Sequence, residues 1–453
     1  MSTWHPLSFR DFPISQGVTY PDQDALEATL TRLRELPPLV TSWEVERLKG
    51  HIAEAQEGKR FILMGGDCAE TIADCQPAAI SAKMKILLQM SLVLVHSTMK
   101  PVVRIGRMAG QYAKPRSQPW DIRGDQKLPN YFGDLVNRSE YTPESRAFDP
   151  NLLLSGYHHA AMTLNFVRSL TESGFADLHH PEQWDLSFFD EADLSDELRA
   201  EYQTSGEDLS RALRFMEALG ELSIDDLTRV DFYTCHEGLN LHYESAQTHR
   251  VPRRDGHYLL TTHLPWIGER TRQLDRAHVE FFRGINNPVG VKVGPTATVE
   301  DVVGLSEALN PGDEAGKLVL ISRMGVAHVR TKLRPLLEGV RDTGRKVLWV
   351  VDPMHGNTHT GPSGYKTRSF DAICDEIAWT LDAHAEAGTT LGGVHFELTG
   401  EDVTECTGGA VGITDADLAT NYATACDPRL NYRQALEIAF LLGRRMRADL
   451  AKG

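Results

Sequence analysis

Eight times along this chain a short apolar run breaks off into a cluster of polar, charged and glycine residues, and that recurrence limits the fold more than any other feature. The clearest case is 346–360, KVLWVVDPMHGNTHT. Val347, Leu348, Trp349, Val350 and Val351 form an unbroken apolar run, the pattern of a strand buried on both faces in a parallel sheet. Asp352, Pro353 and Gly356 stop it, and Asp352, His355, Asn357 and His359 supply chemistry at once. Buried strands of α/β proteins present reactive groups at their carboxyl ends in this way.

The same grammar predicts strands at 60–70, 101–117, 230–238, 258–271, 288–295, 317–325 and 392–402. Apolar residues at helical spacing predict helices at 78–97, 298–309, 328–342, 369–387 and 432–449 between or after them. Strand–helix alternation repeated eight times predicts an α/β fold, a (β/α)8 TIM barrel built as one domain over 1–453. A doubly wound open sheet is the alternative, but it would not bring all eight strand ends round one point. Residues 1–58 read as an N-terminal helical extension, with helices at 24–35 and 42–57 packed on the outside or in a subunit contact. Residues 118–228 read as a charge-rich helical insertion after strand two, including a connecting helix near 155–173 and a helical pattern at 196–220.

Composition excludes several classes. The 453 residues are 41% hydrophobic and 24% charged, as expected of a globular chain. The net charge is −16 and there is no long basic run, which argues against sequence-independent nucleic-acid binding. No run approaches the ~18 apolar residues of a membrane span, and MSTWHPLSFRDFPIS lacks the apolar core of a signal peptide. Six dispersed cysteines without a CxxC pair fit a reduced compartment, so a cytoplasmic protein is expected.

A closed barrel would gather Cys68, Arg107, His236, Glu237, Glu269, Arg270, Lys292, Arg323, Asp352, His355 and Glu397 on one face. Two chemical groups separate. Cys68, His355 and Glu397, with Asp427 of CDPRLN, offer a mixed sulfur, nitrogen and oxygen donor set for divalent manganese, cobalt, iron or zinc. Taken singly, Cys68 reads equally as a small buried hydrophobe, and Glu397 and Asp427 as ion-pair partners. The second group is cationic: Arg107, Arg270, Lys292 and Arg323, with Lys114, Arg116 and Lys366 nearby. Several cations around one mouth repel unless an anion is bound, and arginine forks suit phosphate and carboxylate. The pattern reads as a metal-assisted enzyme for small phosphorylated, carboxylated substrates. Cys75, Cys235 and Cys374 read as packing residues. Cys426 adjoins Asp427, so a reversible disulfide to Cys68 would withdraw a metal donor.

The segments GGDCAE, RMAGQYAKPRS, WIGERTRQLD, NPVGVKVGP, SRMG, DPMHGNTH, GYKTR, HFELTGEDVTEC and CDPRLN, in that order, resemble the class II 3-deoxy-D-arabino-heptulosonate 7-phosphate (DAHP) synthases. The resemblance covers residues from about 40 to 449. It implies a transferase on a (β/α)8 barrel that condenses phosphoenolpyruvate with erythrose 4-phosphate, the first step of the shikimate route. It implies that Cys68, His355, Glu397 and Asp427 hold a divalent metal, manganese or cobalt. Arg107, Glu269, Arg270, Lys292 and Arg323 are the implied phosphoenolpyruvate contacts. Lys114, Arg116 and Ser117 are the implied sugar-phosphate loop. Lys292, His355 and Glu237 are unranked candidates for proton transfer. A homodimer or homotetramer, aromatic amino acid effectors acting through the insertion, and a chorismate mutase partner are further implications. Two other readings stay open: a secondary-metabolism paralogue taking an amino sugar phosphate, and a non-catalytic relative that regulates a partner.

Overall fold

The computed structural model describes residues 3–172, 231–424 and 426–450, with positions 200, 204, 207, 208 and 211 between them. Eight parallel strands close into one barrel. They are β1 Phe61–Gly66, β2 Val102–Arg107, β3 Phe232–Glu237, β4 Leu264–Ile267, β5 Val289–Val293, β6 Leu318–Ser322, β7 Leu348–Val351 and β8 Leu391–Glu397. Each pairs with its neighbours in sequence, and β1 pairs with β8 to complete the ring, with Gly66 opposite Glu397. Closure excludes the open doubly wound sheet.

Strand periodicity decides what fills the ring. Alternate residues point inward, so Ile62 and Met64, Val103 and Ile105, Val319 and Ile321, and Leu348 and Val350 share one apolar interior. Their neighbours face the surrounding helices: Phe61 and Leu63 enter one outer cluster, Leu320 and Trp349 another. Besides two short helices, Pro143–Arg146 and Leu241–Ala246, the helices among the described residues are α1 Gln23–Glu35, α2 Ser42–Gln56, α3 Pro77–Thr98, α4 Asn151–Glu172, α5 Ala277–Phe282, α6 Val299–Leu309, α7 Val329–Asp342, α8 Phe370–Ala387 and α9 Tyr432–Leu450. Among the described residues, α3 alone is long and apolar enough to cross a membrane by length and composition. Its apolar side chains are accounted for by packing, since Ile86, Leu87, Met90 and Leu94 share a buried cluster with Leu436 and Phe440 of α9.

Three expectations need correction. Helix α2 is not packed on the outside of the barrel. Leu48, Ile52 and Ala55, at helical spacing, are fully buried and join the barrel's interior cluster, so α2 plugs its amino-terminal mouth. A capping box starts it, with Thr41 and Glu44 each accepting the other's backbone N–H. Second, strand two ends at Arg107 and does not run to 117. The Glu70 carboxylate takes three consecutive N–H groups, from Ala109, Gly110 and Gln111 at 2.8–2.9 Å, which removes them from any ladder. Third, the run 258–271 divides. Tyr258–Leu259 pairs antiparallel with Thr248–His249, and the barrel strand is only Leu264–Ile267. Asn287 causes the break by bonding both N–H and C=O of Leu259.

The segment after β2 begins as a hairpin, Trp120–Arg123 against Gln126–Pro129, before the expected connecting helix appears as α4. The helical pattern read at 196–220, where effector control was expected, lies outside the described residues apart from the isolated positions named above.

The plug gives a stability test. Ile52→Ala is expected to cost about 2–5 kcal/mol by opening a cavity under the barrel. Ile122→Ala, at a side chain 66% exposed, should stay within about 0.5 kcal/mol. Urea unfolding followed by circular dichroism measures both, and equal midpoints would contradict the plug.

Candidate active site at the carboxyl mouth

The strand ends line a cavity of about 160 Å³. One wall carries Cys68, His355 and Asp427, with Glu397 buried beneath. One donor atom from each of the four lies within 4.8 Å of the others. Topology explains the meeting. Cys68 follows β1, Glu397 ends β8 and His355 follows β7, and these strands are neighbours in the ring. Asp427 arrives on the segment before α9. Arg429 ties that segment to β1, reaching Asp67 at 2.6 Å and Glu405 at 2.8 Å.

Each donor is aimed. The Nδ1 of His355 lies 2.7 Å from Asp352 Oδ2, which turns Nε2 towards Glu397 Oε1 at 3.0 Å. A carboxylate behind a histidine fixes ring orientation in this manner at metal centres. Burial alone would raise the Asp352 carboxyl, but His355 and Lys292 hold it well below its ordinary range. Glu397 behaves likewise: burial opposes ionisation, and His355, Arg368 and Arg107 overcome it. Both Glu397 oxygens are buried, and neither accepts a well-directed hydrogen bond although ion pairs surround them. Such lone pairs, with a thiol, an imidazole and a second carboxylate in reach, fit a divalent transition metal. Burial pushes the Cys68 thiol up, and the Lys114 ammonium touching it works the other way. Cys426 stands beside Cys68, and the hydrogen bond between them pulls the Cys426 thiol down.

The opposite wall is cationic. Arg107 is 2% exposed, donates from Nη2 to Cys68 O at 2.9 Å and lies over the Trp266 ring at 5.1 Å. Lys292 bonds Asp352 and lies 5.6 Å from the same ring. Burial brings its ammonium down to about 8, with Asp352 opposing and Arg107 adding to the fall. His395 sits between them, Nε2 3.0 Å from Arg107 and Nδ1 3.1 Å from Lys292. Burial and the two cations keep it neutral. Arg323 donates to His355 O at 3.0 Å, which joins the cationic wall to the donor cluster. The backbones after β6 and β7 touch there. A Cβ on Gly356 would lie 2.3 Å from Gly325 N, so neither position tolerates a side chain.

The other expected residues divide. Glu237 and Lys114 line the cavity, and burial raises the Glu237 carboxyl. A Cβ on Gly268 would lie 2.0 Å from Glu237 Oε1, so a side chain there would displace that carboxylate. Glu269 lines the cavity, but its oxygens already accept from Gly294, Thr296 and Arg272. Arg270 reaches Ser117 Oγ at 2.9 Å across the exposed rim. Arg116 and Ser117 do not line the cavity, and Arg116 stacks over Tyr131 at 5.7 Å. His236 was expected at the mouth and is absent from it. It faces away from the barrel interior, with Nε2 2.9 Å from Glu244. Three residues received no role from the sequence: Trp266, His395 and Arg368. His395 was the readable one, because it shares the inward face of β8 with Glu397 two residues on.

Residues 4–443 match the Class-II DAHP synthetase family. A phospho-2-dehydro-3-deoxyheptonate aldolase of Neurospora crassa is 44% identical over 98% of this chain and 95% of its own. One from Streptomyces coelicolor is 45% identical over 96% of each. The fold, the strand-end chemistry and these likenesses over nearly the full length agree: the chain belongs to the class-II DAHP synthetase family.

Proposed function

We propose that this chain condenses phosphoenolpyruvate with D-erythrose 4-phosphate to give 3-deoxy-D-arabino-heptulosonate 7-phosphate and inorganic phosphate. The observation that carries the reading is one cavity walled on one side by the four-residue donor cluster and on the other by Arg107, Lys292 and Arg323. Cys68, His355, Glu397 and Asp427 would hold a divalent cation, of which Mn²⁺ and Co²⁺ are the first to test. When bound there, it supplies Lewis-acid polarisation of the aldehyde.

The chain's own residues account for the remainder. Arg107, Lys292 and Arg323 bind the carboxylate and phosphate of phosphoenolpyruvate, and Arg270 closes the rim. Glu269 acts through the turn it holds, because an anion there would repel the substrate. The low-dielectric Trp266 floor strengthens each of these attractions. Lys114 faces the aldehyde partner, and Arg116 and Ser117 serve its phosphate from the rim. Carbon 3 of the enol attacks the aldehyde carbon, and water adds at carbon 2. Phosphate leaves by carbon–oxygen cleavage. Overall the water oxygen stays on carbon 2, one of its protons passes to the former aldehyde oxygen and the other leaves with the phosphate. Lys292 and Glu237 suit that transfer, since burial moves both towards neutral pH from opposite sides. His355 stays with the donor cluster.

Three outcomes test this. Phosphate release from the two substrates should stop with chelator and return with Mn²⁺ or Co²⁺. Absence of release with erythrose 4-phosphate under any metal overturns the reading. Asp352→Asn, which loosens His355, should weaken Mn²⁺ binding roughly 10–100-fold by equilibrium dialysis.

The pH profile should follow Lys292. Below about 8 its ammonium is present and attracts phosphoenolpyruvate; above about 8 the charge is lost. The kcat/KM for phosphoenolpyruvate should therefore fall above that pH. The bound anion stabilises the ammonium, so kcat should fall at higher pH than kcat/KM. A profile flat from pH 7 to about 10 would contradict this role.

A further inference from the structure

Arg368 lies below the donor cluster with no exposed surface and does not line the cavity. Its guanidinium reaches three separate segments. Nε donates to Thr358 Oγ1 at 2.8 Å, three residues beyond His355. Nη1 donates to the carbonyl of Pro428, the neighbour of Asp427. Nη2 pairs with Glu397 Oε2 at 2.7 Å. One side chain thus holds one donor directly, the backbone next to a second, and a hydroxyl three residues beyond a third. Its own position is set by Thr407, whose N–H and hydroxyl both donate to Arg368 O, at 2.9 and 3.3 Å.

We infer that Arg368 is the positioning residue that assembles the cation site, fixing Glu397 so that a single oxygen is presented and spacing the segments of His355 and Asp427 around it. The inference rests on the reading that Cys68, His355, Glu397 and Asp427 bind a divalent cation. Two physical facts support it. Arg368 Nη2 stands 2.7 Å from Oε2 of Glu397, whereas Oε1 faces His355 Nε2 at 3.0 Å, with Arg107 Nη1 3.2 Å away. A planar fork with donors in three directions is also the geometry that three segments require. A lysine ammonium cannot reproduce it, because its donors radiate from one atom.

The test uses the full-length enzyme, Mn²⁺ as probe, and Arg368→Lys. Mn²⁺ affinity, read by equilibrium dialysis and the free-ion paramagnetic resonance signal, should fall roughly tenfold or more. Phosphoenolpyruvate affinity, read by tryptophan fluorescence in chelator, should change less than about twofold, because Arg107, Lys292 and Arg323 bind without Arg368. A purely structural role would move both affinities together. Mn²⁺ affinity within about twofold of the unaltered enzyme overturns the inference, as does an equal loss of both affinities. If Arg368→Lys does not fold, Thr358→Val removes one arm alone. A loss of about threefold or more then supports the inference, and no change overturns it. The unaltered enzyme is titrated alongside. If it takes up no Mn²⁺, the cation reading falls and this inference with it, whereas normal uptake with an unaffected variant removes this inference alone.

Discussion

A carboxylate with no exposure to solvent ends the eighth strand, and the mouth of the barrel is arranged around the cost of its charge. Burying an unpaired carboxylate costs several kcal/mol even after the surroundings relax. Glu397 is ionised only because Arg107, Arg368 and His355 stand at 2.7–3.2 Å from its oxygens. Asp352 repeats the arrangement with His355 and Lys292. The two anions therefore share His355, and the two walls of the cavity form one electrostatic network.

Much of this was readable in the residues. Eight apolar runs ending in polar clusters gave the barrel, and strand-end position gave Cys68, Arg107, Lys292, Arg323 and His355. Period-two alternation could have gone further. Cys235 faces the interior, so His236 must face outward, and it does. The same rule puts His395 on the inner face with Glu397. What the pattern could not supply was partnership. The apolar stripe of α2 is plain in Leu48, Ile52 and Ala55, but nothing local says that a barrel floor covers it. Arg368 stands on no strand end and in no periodic run, and its importance comes from distant segments meeting over it. Glu70 likewise ended strand two from outside, by taking N–H groups that the apolar pattern could not show were needed elsewhere.

The family match and the geometry support each other from independent directions. Identity of 44–45% over nearly the full length establishes kinship without saying how any atom acts. The side-chain arrangement explains how a chain of net charge −16 can attract small anions. Arg107, Lys114, Arg270, Lys292 and Arg323 line one recess, two of them against the Trp266 ring, and outnumber the three carboxylates that share it.

Ring closure also sets an order of assembly. The donors Cys68 and Asp427 are 359 positions apart, and Gly66 meets Glu397 only when the first strand finds the last. A nascent chain still on the ribosome can form its early strand–helix units, yet it holds at most one of the four donors until the final third has emerged. Pairings of such sequence separation form late and slowly. The seam between β1 and β8 is thus where an unfinished molecule differs most from a finished one, and the four side chains come within reach of one another only in the finished one.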